Sequence, residues 1–100
     1  MMKRWEHPGG KLRELGAEAL SDSELLAILI SSGVRGRSAE AIAEEVMGCY
    51  GSLAGMGDVS RERLLEFRGL SDVKAHRIMA ALEIGRRLAR ADGGAVKDER

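Results

Sequence analysis

Aromatic side chains are scarce in this chain: Trp5, Tyr50 and Phe67 are the only three in one hundred residues, while Ala, Leu, Ile, Met and Glu are plentiful. That balance excludes a β-rich core and favours helices. A lone cysteine, Cys49, cannot close an internal disulfide, which fits a reducing compartment; with no partner base in view it reads as a packing residue near a helix end. The two histidines, His7 and His76, lie far apart and neither sits in a His-x-His pair, so no zinc-site spacing can be assembled and no metal or other cofactor is expected. Excess charge of one sign is missing too. Sixteen basic residues balance sixteen acidic ones, so no overall field draws the chain toward nucleic acid or an anionic membrane, and any anion binding must be local. No apolar run approaches the roughly 18 to 20 residues that span a bilayer, and the opening MMKRWEHPGG lacks the apolar stretch of a signal peptide. The expectation is a cytoplasmic protein with no membrane partner.

One hundred residues, 44% of them hydrophobic, can bury one modest core, so a single domain is expected. A helical turn over Lys11 to Gly16 is followed by Ser21, Asp22 and Glu24, a capping-box pattern ahead of the apolar run Leu25, Leu26, Ile28, Leu29 and Ile30. That helix stops at Ser31, Ser32 and Gly33. Ser38 caps the next one, in which Ala39, Ile42, Ala43, Val46, Met47 and Tyr50 share one face and Glu40, Glu44 and Glu45 the other. Residues 52–57 form a connector of no more than one turn. Ser60 caps a helix through Leu64, Leu65 and Phe67 that stops at Gly69, and Ser71 or Asp72 caps a long last helix. Ala75, Ile78, Met79, Leu82 and Ala89 mark its apolar stripe, with Gly85 placed to admit a close helix neighbour. The expected organisation is a flexible segment over 1–9, a domain over 10–91 and a polar tail over 92–100.

A shift of thirty-six residues carries Ile28 onto Leu64, Leu29 onto Leu65, Gly33 onto Gly69, Val34 onto Leu70, Ala39 onto Ala75, Ile42 onto Ile78 and Val46 onto Leu82. Helical columns coincide between any two amphipathic helices, so the shared glycine-apolar turn is the stronger part of the repeat. The fold class is therefore all-α: a small orthogonal helical bundle built from two helix-hairpin-helix units, with Val34 and Leu70 turned inward as plugs.

Such turns carry a chemical consequence. Amides that open a helix lack intrahelical partners and sit at the positive end of its dipole, where they can hold a phosphate oxygen. Glycine at 33, 36 and 69 admits positive φ and close approach, and serves equally as a simple turn former. Arg35 and Arg37 give the first tip a local positive charge, and Lys74 supplements the second. The candidate phosphate-binding set is Gly33, Arg35, Gly36, Arg37, Ser38, Gly69, Leu70, Ser71 and Lys74. His76 reads as a surface residue, and Arg86, Arg87 and Arg90 as complements to the negative end of the last helix.

The turn FRGLSDVKAHRI, preceded by Leu64, resembles the helix-hairpin-helix signature, a family that binds DNA without sequence preference. It departs from that signature at Ser71, where a second glycine is usual, and Asp72 sets a negative charge beside the proposed phosphate. PGGKLRELGAEALSDSELLAILISSG, GRSAEAIAEEV, YGSLAGM and the second hairpin together resemble the amino-terminal, RuvA domain 2-like region of the RadC family, whose name attaches it to DNA repair. In that family a JAB/MPN-type metal-dependent hydrolase domain follows, with a Glu, a His-x-His pair and a downstream Ser and Asp. Those motifs are missing here, so no catalysis is expected from these residues. The resemblance implies a non-catalytic DNA-binding module. The rival reading is a protein-interaction or regulatory domain for the absent metallohydrolase domain or for a second copy. An enzyme of the base-excision type, with Asp92 downstream of Gly69, would need a base pocket that so small a core hardly supplies.

Overall fold

The structure, a computed structural model, describes residues 7–93. Most of the expected 1–9 segment and the 92–100 tail lie outside the described residues. The helices are α1 (Pro8–Leu15), α2 (Asp22–Ile30), α3 (Ala39–Tyr50), α4 (Arg61–Leu64) and α5 (Asp72–Gly93), with 3-10 turns at Ala17–Ala19 and Ala54–Met56. The fold is all-α, and the described residues contain no strand beyond an isolated bridge between Val34 and Arg37.

The first helix begins at Pro8 rather than Lys11, because a proline at the opening position forfeits an amide that no helix would use and holds φ where a helix needs it. It ends at Gly16, whose φ is 90°. The capping box of α2 is present in full. The Ser21 hydroxyl accepts from the Glu24 amide at 3.2 Å, and the Ser21 amide donates to Glu24 at 2.9 Å. Lys11 Nζ also reaches Glu24 at 3.1 Å. The Ser21 amide, and after it Lys11, hold the Glu24 carboxyl below its usual value of 4.5. A depressed carboxylate stabilises the fold above its unfolded pKa, and that contribution disappears as pH falls through the folded value. Ser21→Ala is expected to cost about 1 kcal/mol in urea unfolding. The stability gap between wild type and Glu24→Gln is expected to close as pH drops below the carboxylate range; a gap that persists unchanged in acid would contradict the cap.

Leu26, Ala27 and Ile30 of α2 pack against Ala39, Ile42, Ala43 and Val46 of α3, the face that the helical spacing marks out. Leu64, Phe67, Leu70, Ala75 and Ile78 close the core from the other side. Met56, in the glycine-rich connector, is fully buried. A single methionine with no periodic neighbours gives no sequence sign of that.

Four expectations need correction. The helix α4 stops at Leu64 instead of running on through Phe67. Beyond it the Phe67 amide donates to Leu64 O and the Leu70 amide to Phe67 O, both at 3.1 Å. This three-residue winding sets Leu64, Phe67 and Leu70 on one side, and all three are buried. Val34 is not an inward plug; it is 41% exposed, whereas Leu70 is buried. Cys49 is exposed rather than packed. No helix approaches Gly85, where an added Cβ would meet nothing within 4 Å.

The thirty-six-residue repeat holds for the second helix of each pair and fails at the turns. Ala39 and Ala75, and Ile42 and Ile78, are buried in equivalent positions. The shift would place the cap Ser38 at Lys74, but α5 is capped at Ser71, so the first loop holds three more residues before its helix. Those extra residues form a closed turn in which Val34 and Arg37 exchange two backbone hydrogen bonds of 2.9 Å each.

Candidate nucleic-acid interface

The first loop crosses itself tightly. A Cβ at Gly33 would lie 2.0 Å from the Arg37 carbonyl oxygen and 2.8 Å from the Ser38 backbone, so glycine is required there for space, not for positive φ. Positive φ falls instead on Ser31 and Gly36. The turn spends the amides of Val34 and Arg37 on each other, leaving those of Arg35 and Gly36 at the tip without an internal acceptor among the described residues. Ser38 caps α3 by accepting from the Ala41 amide at 3.0 Å. Arg37 folds back to pair with Glu45.

In the second loop Gly69 has φ of 102°, and its missing side chain is what lets the loops meet. A Cβ there would come 2.4 Å from Ile42 Cδ1 and 3.6 Å from Val34 Cγ2. Leu70 is buried and its amide is spent on Phe67, so it acts as an anchor. Ser71 accepts from the Lys74 amide at 3.4 Å. Asp72 pairs with Arg61 at 2.6 Å, which neutralises the charge that the sequence set beside the phosphate position.

The two loops lie side by side. Arg68 Nη2 donates to Arg35 O at 3.0 Å, Lys74 Nζ donates to Ser32 O, and Arg77 Nη1 donates to Leu29 O at 2.8 Å. The last carbonyls of α2 lack helical partners, so cations there satisfy orphan acceptors and the negative dipole end together. Arg35, Arg68, Lys74 and Arg77 thus form one basic edge across both loops, and none of them has a carboxylate within 4.0 Å among the described residues. Of the sequence-marked residues the structure assembles Arg35, Gly36, Gly69, Ser71 and Lys74 here, while Arg37, Ser38 and Leu70 are engaged in holding the loops. Arg68 and Arg77 were missing from that set. Arg77 lies three residues after Lys74 on one helix face, a spacing visible in the sequence; Arg68 carries no such signal.

Among the described residues no group of three His, Cys, Asp or Glu side chains could hold a metal ion. His7 is engaged with Glu40 at 3.3 Å and His76 accepts from Arg61 at 3.2 Å. No helix of the described residues is long and apolar enough to cross a membrane.

Residues 1–76 match the family described as UPF0758 N-terminal. A UPF0758 protein of Flavobacterium johnsoniae is 43% identical over 89 residues, which cover 86% of this chain and 39% of that relative. Another, of Roseiflexus castenholzii, is 42% identical over 88 residues, covering 88% of this chain and 38% of the relative. A third, of Chloroflexus aggregans, is 44% identical over 86 residues. The chain therefore spans about two-fifths of the length of the curated relatives it matches. No solved structure matches.

Proposed function

The chain belongs to the UPF0758 N-terminal family, and from that premise we propose that this region is a non-catalytic, sequence-independent DNA-binding module that grips backbone phosphates. The observation that carries the reading is the basic edge Arg35, Arg68, Lys74 and Arg77, with no carboxylate within 4.0 Å among the described residues, in a chain whose charges cancel overall. The tip amides of Arg35 and Gly36 and the opening amides of α5 add donors beside it. A phosphate arriving there offers these cations a charged acceptor in place of neutral carbonyls, which adds the attraction between opposite charges. The helix-hairpin-helix and RadC-type resemblance supports the same reading and the cytoplasmic setting. Hydrolytic chemistry, in this reading, belongs to the rest of the full-length protein, which the resemblance identifies as a metallohydrolase domain.

Titration of the labelled chain with a short duplex at low salt tests the reading. Amide shifts are expected at Arg35, Gly36, Gly69 and Ser71, with affinity falling steeply as salt rises. Failure of duplex, junction and single strand alike to bind at low salt would remove it.

A further inference from the structure

The second half of α5 leaves the bundle with its apolar side uncovered. Leu82, Gly85 and Ala89 form, with Leu25, Leu29 and Leu53, an apolar groove of about 430 Å³. On the same half of α5, outside the residues that line the groove, Ile84 and Leu88 stand 59% and 68% exposed. A helix carrying so broad an apolar arc ordinarily buries it, and a contiguous exposed patch of this kind marks an interface.

Two observations identify what covers it. The first is charge. Arg86, Arg87 and Arg90 gather around Glu83 at 2.9, 2.9 and 3.9 Å, so these four side chains together carry two positive charges in excess. Arg86 also donates to Gly57 O at 2.6 Å, which fastens the helix to one wall of the groove. A second copy meeting this face through its own α5 would bring another net-positive group against this one, whereas an acidic neighbour complements it. The second is chain length. The curated relatives extend beyond the matched region for about three-fifths of their length. Ala89, in the groove wall, is four residues from the end of α5 at Gly93, about one helical turn. The region that follows in the relatives is therefore joined to the domain through the helix that walls the groove.

We propose that this groove is the docking site for the region that follows α5 in full-length family members, received through an apolar element with acidic flanks. The interface uses residues other than the basic edge and stands or falls without nucleic acid. It gives the two parts of the protein a fixed relation, with α5 as the shared strut.

The test places one cysteine, Leu88→Cys or the control Glu44→Cys, in a Cys49→Ser background. Each is made in this chain alone and in this chain continued by the region that follows in the Flavobacterium johnsoniae relative. Maleimide labelling without nucleic acid is expected to slow at least tenfold at Leu88→Cys in the continued chain and to remain unchanged at Glu44→Cys. Adding Arg87→Glu and Arg90→Glu is expected to restore fast labelling. Equal rates at Leu88→Cys in both chains overturn the proposal. Slow labelling in this chain alone, with a dimeric mass in sedimentation, overturns it in favour of a second copy. Hydrogen exchange on the unaltered full-length relative gives an independent reading: slow exchange is expected in the second half of the helix matching α5, and exchange as fast as in this chain alone overturns the assignment.

Discussion

Gly33→Ala is expected to lower the stability of the domain by about 3 kcal/mol, the cost of overpacking plus the hydrogen bonds given up to relieve it. The added Cβ would sit 2.0 Å from the Arg37 carbonyl oxygen and 2.8 Å from the Ser38 backbone, and main-chain atoms cannot rotate away as a side chain would. Relief requires opening the Val34–Arg37 closure and forfeiting its two 2.9 Å hydrogen bonds. For a domain of this size each kcal/mol moves the melting temperature by about 4–8 °C, so a fall of about 15 °C follows. Gly48→Ala supplies the contrast. In α3, with nothing within 4 Å of the new Cβ, it is expected to gain about 0.5–1 kcal/mol from helix propensity alone. Thermal melts followed by circular dichroism read both, and a Gly33→Ala chain that melts with the wild type would show that the loop does not cross as described.

The second large effect concerns the basic edge. Arg35→Glu combined with Arg68→Glu is expected to weaken duplex binding at low salt by more than tenfold, since each change removes a cation and adds a repelling charge. The neutral Arg35→Ala is the more exacting test. Its guanidinium makes no hydrogen bond to the described residues, so stability should hold while the slope of log affinity against log salt falls by about 1. Lys74→Ala and Arg77→Ala combine two effects, because both side chains also satisfy carbonyls, that of Ser32 just past α2 and that of Leu29 in its last turn. They are expected to lower melting temperature and affinity together. An unchanged salt slope in Arg35→Ala, measured by fluorescence anisotropy, would show that this edge does not meet phosphate.

Several features were legible before any coordinates. The capping box at Ser21 and Glu24 is a local device whose donors and acceptors lie within four residues, so no distant contact can rewrite it. The buried face of α3 follows from helical spacing alone. Other features depended on contacts that no spacing encodes. The run from Leu64 to Phe67 reads as a helix by its apolar residues, yet beyond Leu64 it winds more tightly, because burial of Leu64, Phe67 and Leu70 outweighs propensity. Gly33 and Gly69 look alike in the sequence and serve different needs: one gives room for a backbone crossing, the other for Ile42 and the neighbouring loop.

From the sequence alone follow an all-helical chain, the serine-capped starts of α2, α3 and α4, the main buried columns and a local excess of positive charge at the first loop. Periodicity and capping are short-range, and a helix needs nothing beyond its own neighbours to declare them. Tertiary contacts alone settle which cations lie together, that Asp72 turns to Arg61, and that, among the described residues, Ile84 and Leu88 on the second half of α5 stay exposed. Those outcomes join residues from eleven to more than thirty positions apart, or depend on what fails to pack against a helix, and Arg68 meets Arg35 where Gly69 lets the two loops close.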